Sequence, residues 1–245
     1  MTARGEKEIA LAGPPRNVTG LFPFDVSRST IVPMSLRAGN EAAVYRAVVR
    51  SAGRSLGELR LRLPLDTPPG KYAGESMIGG EMRRVMVDVL AEMRINVRPK
   101  ISNVSASVAG SAELTLTVTN EGNVPLDVPK ADTFDLDDAT GKDRALGKSL
   151  RAPLTQGERR VDRFFEELRE QHGGEARVTI RVGAGRLEPG QTRELRCLLQ
   201  LPDTAKEGRS YSGAWHLGNA AHLVAADVVA KGRPDNTNPA VRSKR

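Results

Sequence analysis

One stretch of this chain occurs twice, and that recurrence constrains the fold more than any other feature. Residues 72–79 read Tyr-Ala-Gly-Glu-Ser-Met-Ile-Gly and residues 211–218 read Tyr-Ser-Gly-Ala-Trp-His-Leu-Gly. At the same offset Asp88 matches Asp227 and Val89 matches Val228. Upstream, Leu61-Arg62-Leu63-Pro64 matches Leu199-Gln200-Leu201-Pro202, and Gly70 matches Gly208 with one residue of slippage. Each copy has the same plan: an apolar strand ending in Leu-Pro, a Gly turn, a strand opening on Tyr-x-Gly, a second Gly turn, and a last strand. Proline stops ladder pairing and glycine supplies the turn. The tyrosine can bury its ring while its hydroxyl finds a polar partner. Self-similarity at this scale means two copies of one structural unit.

The segments between these hairpins show the same geometry. Leu59, Leu61, Leu63 and Leu65 alternate with Arg60, Arg62 and Pro64; Ala43, Tyr45, Ala47 and Val49 alternate with Arg46 and Arg50. Val85, Val87 and Val89 alternate with Met86 and Asp88. Leu114, Leu116 and Val118 alternate with threonines and run into the turn Asn120-Glu121-Gly122-Asn123; Val178, Ile180 and Val182 alternate with Arg177, Thr179 and Arg181. Period-two patterning with one apolar face is the mark of half-buried antiparallel strands. Aromatics make up only 4% of the chain, so the cores are expected to be mostly aliphatic.

One helix is expected, about 156–172. Thr155 and Glu158 have capping-box spacing, Val161, Phe164, Phe165 and Leu168 fall at helical intervals, and Gly173-Gly174 ends the run. Arg163 and Glu167 form an i, i+4 pair. This insertion covers a sheet edge or the end of a barrel-like core, or it docks a partner through its two phenylalanines.

The expected fold class is therefore all-β: two tandem immunoglobulin-like antiparallel β-sandwich domains, the second with a helical insertion. The expected organisation is a flexible lead-in over residues 1–17, a first domain over 18–98, a second over 99–230, and a disordered basic tail over 231–245.

Two segments carry a family resemblance. Leu-Arg-Leu-Pro at 61–64 with Pro-Pro-Gly-Lys-Tyr-Ala-Gly at 68–74, and Leu-Thr-Leu-Thr-Val-Thr-Asn-Glu-Gly-Asn-Val-Pro-Leu-Asp-Val at 114–128, resemble bacterial immunoglobulin-like modules of the cell-adhesion-related and glycosidase-associated type. The resemblance spans residues 59–89, 103–128 and 190–229. It implies a seven-stranded sandwich and an accessory or adhesive role in the envelope. Periplasmic pilus chaperones are also similar, being two basic immunoglobulin-like domains, but their N-terminal strand pattern and paired basic residues have no counterpart here.

The chemistry is mostly defined by what is missing. The single cysteine, Cys197, forms no intrachain disulfide and no multi-cysteine metal site, and it alternates with Leu195, Leu199 and Leu201 as a small buried apolar residue would. Val182-Gly183-Ala184-Gly185-Arg186 lacks the third glycine and the following helix of a nucleotide fingerprint. Asp132, Asp135, Asp137, Asp138 and Asp143 could offer oxygens to calcium, but Leu146 stands where an EF-hand needs Glu, so a solvated acidic loop is expected over 132–143. His172, His216 and His222 are expected to be structural. No catalytic, cofactor-binding or metal site is assigned, no cofactor is expected, and the chain is read as no enzyme.

The formal charge is +7, from 37 Lys and Arg (28 of them Arg) against 30 Asp and Glu. The basic residues are spread along the sequence without interleaved aromatics, so a solvated surface is the first expectation. The leading functional expectation is a binding or scaffolding protein with a protein partner. The alternatives are an envelope adhesion or pilus-chaperone-like module, and a polyanion binder for nucleic acid or acidic glycan. With no apolar run of membrane-spanning length and no leader, the chain is expected in the cytoplasm if complete, and in the periplasm or at the surface if trimmed. The oligomeric state is left open.

Overall fold

A computed structural model describes residues 8–25, 28–38, 41–53, 55–153 and 159–230. The chain divides into two compact units.

Among the described residues the first unit contains seven strands: β1 (Ile9–Gly13), β2 (Val18–Pro23), β3 (Thr30–Ala38), β4 (Glu41–Gly53), β5 (Leu56–Leu61), β6 (Gly70–Ile78) and β7 (Glu81–Val89). They form a ring in the order β1-β2-β5-β4-β3-β6-β7. Lettered A to G, this is A-B-E-D followed by C-F-G, the strand order of an immunoglobulin-like sandwich. Every pairing is antiparallel except the closure, where β1 runs parallel to β7 with Ile9 opposite Val85 and Gly13 opposite Val89. The inward residues Leu11, Val18, Leu59, Leu61, Val85 and Val87 are fully buried, and the core is mostly aliphatic, with Phe22 buried in it and Phe24, Tyr45 and Tyr72 packed against it.

Of the expected flexible lead-in over residues 1–17, residues 1–7 lie outside the described residues, and the part from Ile9 needs correction. Ile9 and Leu11 are buried in the core, and a short 3-10 turn at Pro15–Asn17 leads into β2. The strand escapes notice because its outward residues, Ala10 and Ala12, are apolar too, which removes the polar half of the alternation.

The second unit repeats the plan with β8 (Ile95–Arg98), β9 (Ile101–Ala106), β10 (Ser111–Asn120), β12 (Ala131–Asp138), β13 (His172–Val182), β15 (Thr192–Gln200), β16 (Ser210–Leu217) and β17 (Ala220–Val228). The order is β8-β10-β15-β13-β12-β16-β17-β9. Strand A is here two pieces separated at Pro99: β8 pairs with β10, and β9 runs parallel to β17, with Ile101 opposite Leu223. With β8 and β9 as A, the order is again A-B-E-D-C-F-G. The chain is thus all-β with two immunoglobulin-like units. A two-stranded ribbon of β11 (Leu126–Val128) and β14 (Gly185–Leu187) completes the strands.

The unit limits differ from a single cut at 98/99. The first unit comprises Met1–Asn96 together with Thr119–Leu126 and Arg186–Thr192. The Asn-Glu-Gly-Asn turn explains why. Buried Asn123 donates through Nδ2 to the carbonyls of Thr67 (3.1 Å) and Leu90 (3.0 Å), and its Oδ1 accepts the Glu92 N–H at 2.6 Å. Glu121 accepts from Asn96 at 2.9 Å and pairs with Arg94 at 3.3 Å and Arg16 at 3.5 Å. Buried backbone groups demand such partners, and the turn supplies them.

Two helices, α1 (Gly141–Arg151) and α2 (Arg160–Arg169), lie between β12 and β13, the C and D strands of the second unit. The single helix expected over 156–172 is thus shorter, with Arg159 as its N-cap, and a second helix precedes it. Thr155 and Glu158, read as a capping box, lie outside the described residues, as does the tail 231–245.

Candidate functional site

The repeated Tyr-x-Gly serves the frame. Tyr211 is fully buried and its hydroxyl accepts the Lys206 N–H at 2.9 Å; Tyr72 is half-buried and donates to the Pro68 carbonyl at 2.8 Å. Both are tyrosine corners, in which a Tyr opening strand F reaches back to the backbone a few residues upstream. The glycine two residues on lets strand F approach strand C. A Cβ on Gly74 would stand 2.3 Å from the Ser35 carbonyl oxygen, and one on Gly213 2.2 Å from that of Asp135. Two positions further along, the same inward cross-strand slot holds Ser76 opposite Arg83 in one unit and Trp215 opposite His222 in the other.

The residues singled out for chemistry are mostly occupied structurally. Cys197 is buried, and that burial pushes its thiol up to about 11. His222 is fully buried, edge-on to Trp215, with Nδ1 2.9 Å from the Pro99 carbonyl; burial holds its pKa below the usual imidazole value. The acidic run is divided by strand alternation. Asp132 accepts from Trp215 Nε1 at 3.0 Å, whereas Asp135 and Asp137 point outward beside His172, at 3.9 and 3.3 Å. Buried Asp138 takes Arg144 at 2.7 Å, Arg209 at 3.1 Å, and the Thr140 N–H and hydroxyl at 2.9 and 3.0 Å. Among the described residues, no three potential ligands gather as a metal site would require. His216 faces outward on β16.

The surface that stands out is the helical hairpin. Its root is the Asp138 cluster, where Arg144 of α1 meets a carboxylate that Arg209 also holds. Gly141 lies against Gln171 so closely that a Cβ would come 2.7 Å from the Gln171 Cβ. The helices are tied together by Lys148–Glu167 at 2.9 Å and by Arg160, which donates to the Ser149 and Leu150 carbonyls at 2.7 and 2.9 Å. A cation on the last carbonyls of a helix also complements its dipole. The expected Arg163–Glu167 pair is present at 3.7 Å.

The hairpin's buried residues belong to α1, and α2 contributes none. Small Ala145 and Ser149 form the buried row of α1, while Leu146 and Leu150 are 50% and 58% exposed. On α2, Phe164 and Leu168 are half-buried, while Val161 and Phe165 are 47% and 54% exposed. Leu146, Leu150, Val161 and Phe165 are thus the large apolar residues that the two helices leave exposed. Sequence reading named both phenylalanines; only Phe165 is free for contact, and the two leucines of α1 were missed.

No family model and no curated protein matches the sequence. Among solved structures, the chain is similar to a titin A168169 structure at 9% identity and TM-score 0.33, covering 92% of this chain and 97% of that one. It is similar to DIP-gamma IG1+IG2 at 10% identity and TM-score 0.32, covering 91% and 95%. A protein of unknown function from Porphyromonas gingivalis W83 gives 11% identity and TM-score 0.27, covering 91% and 98%. These likenesses are distant; the fold assignment rests on the strand order itself.

Proposed function

We propose that the chain is a non-enzymatic immunoglobulin-like binding protein whose partner is another protein, held through the exposed apolar residues of the α1–α2 hairpin. The observation that carries this reading is the use made of the insertion. It is anchored by a buried, doubly paired carboxylate, yet its second helix contributes no fully buried residue and Leu146, Leu150, Val161 and Phe165 stay exposed. Fully burying such a side chain contributes about 1.5–3 kcal/mol, and these four are about half exposed, so together they offer a partner helix or groove roughly 3–6 kcal/mol. Among the described residues no helix is long and apolar enough to cross a membrane.

The test is a Leu150→Asp/Phe165→Asp chain compared with the wild type in cross-linking capture from the host. Trp215 fluorescence checks first that the second unit is folded. The expected result is a partner retained by the wild type and lost by the variant. Equal retention by both would remove the hairpin from the proposal.

A further inference from the structure

Two arginine-bearing alternations that are separate in the sequence meet on one face of the first unit. In the antiparallel pairing of β4 with β5, Arg50 lies opposite Glu58, Val48 opposite Arg60, and Ala47 opposite Leu61. Arg46 and Arg62 come next in the same register, on the same outward side. Together Arg46, Val48, Arg50, Arg60 and Arg62 line a surface groove of about 340 Å³. Glu58, the facing carboxylate, is taken by Arg50 at 2.6 Å and is 3.7 Å from Arg60. Arg46 and Arg62 have no hydrogen bond or ion pair among the described residues, and Arg60 Nε is buried without a partner. Like charges directly opposite on a ladder are destabilising. The face thus holds four guanidinium groups against one carboxylate, an arrangement that folding alone does not favour.

Neighbouring strands are about 4.8 Å apart and alternate residues about 6.8 Å apart, so the guanidinium groups start from a compact grid. Guanidinium forks match the oxygens of phosphate in pairs. The groove contains no aromatic residue, so bases or sugar rings have no stacking platform there and recognition falls on charge.

We infer that the outer face of β4 and β5 is a binding site for a chain of phosphate groups, the chemistry shared by inorganic polyphosphate and a nucleic-acid backbone. Neutralising three or four charges predicts a log–log salt slope of roughly −2 to −3, using the single-strand coefficient. Affinity then falls roughly 20- to 50-fold between 50 and 200 mM salt.

The experiment titrates the full chain with inorganic polyphosphate, with an oligothymidylate and with heparin at several salt concentrations. The Arg46→Gln/Arg62→Gln variant is run alongside, together with an Arg233→Gln/Lys244→Gln/Arg245→Gln variant of the tail. Support is a polyphosphate or oligothymidylate isotherm with the predicted slope, weakened at least 10-fold by the β4/β5 variant and unchanged by the tail variant. Which of the two phosphate ligands binds more tightly identifies the source. A thermal shift on adding polyphosphate should appear in the wild type and vanish in the β4/β5 variant. Binding lost only with the tail variant, binding indifferent to Arg46 and Arg62, or clear preference for heparin's sulfates would overturn the inference.

Discussion

Replacing the two corner tyrosines separates the units energetically. Tyr211 is 2% exposed and its hydroxyl is the partner of the Lys206 N–H. Tyr211→Phe leaves that donor without a partner and should cost about 1–2 kcal/mol. Tyr211→Ala also empties the ring's site and should cost about 4 kcal/mol. Tyr72 is half-buried and its hydroxyl bond to Pro68 lies at the surface, so Tyr72→Ala should cost only about 2 kcal/mol and Tyr72→Phe about 0.5 kcal/mol. The chain's single tryptophan, Trp215, lies in the second unit, so its fluorescence reports that unit alone. At a urea slope of about 2 kcal/mol per molar, Tyr211→Ala should lower the fluorescence midpoint by about 2 M. Tyr72→Ala should leave that midpoint in place and shift only the remaining part of the circular-dichroism transition. An unmoved fluorescence midpoint for Tyr211→Ala would refute the corner assignment and make the repeated tyrosines a binding surface.

Gly213→Ala should destabilise the second unit and Gly74→Ala the first, each by about 1–3 kcal/mol in denaturant unfolding, because the new Cβ meets a strand C carbonyl. His222 has a folded pKa below its unfolded one, so its contribution is complete above about pH 6.5 and is lost as pH falls toward the folded value. The fluorescence midpoint should drop between pH 7.5 and 5.5, and His222→Gln should flatten that drop. Cys197 should resist a thiol reagent at pH 8 in the native chain and react at once in denaturant, since burial keeps it protonated. Asn123→Ala should cost about 2–4 kcal/mol in the first unit although the residue follows β10, because the Thr67, Leu90 and Glu92 backbone groups lose their partner. A fragment ending at Arg98 should show the same weakening in its melting curve.

The strands of the repeated hairpins were legible because their inward and outward residues differ in polarity. Leu59 and Leu61 against Arg60 leave no ambiguity, whereas Ile9, Ala10, Leu11 and Ala12 read as a featureless apolar run. Helix α1 was invisible for a different reason. Gly-Lys-Asp-Arg-Ala-Leu-Gly-Lys-Ser-Leu-Arg carries two glycines and only three larger or smaller apolar residues, so its helicity depends on the Asp138–Arg144 contact and on α2. The docking residues of the hairpin were half visible through Phe165, but Leu146 and Leu150 acquire meaning only once α1 exists. The arginine face depends on register. Arg46 and Arg62 are outward in any strand reading, and their meeting is decided by the pairing of Val48 with Arg60.

The parallel closure of each ring bears on the order in which the chain can fold as it is made. β1 waits for β7, and β9 waits for β17, so each unit seals only when its last strand has emerged. The first unit has a further dependency, since it also includes Thr119–Leu126 and Arg186–Thr192. Its final contacts are therefore made by segments translated after β10 and after β13. The N-terminal unit matures alongside its neighbour, so a ribosome that has released the chain only as far as Asn96 would carry a ring whose Thr67, Leu90 and Glu92 backbone groups still lack Asn123.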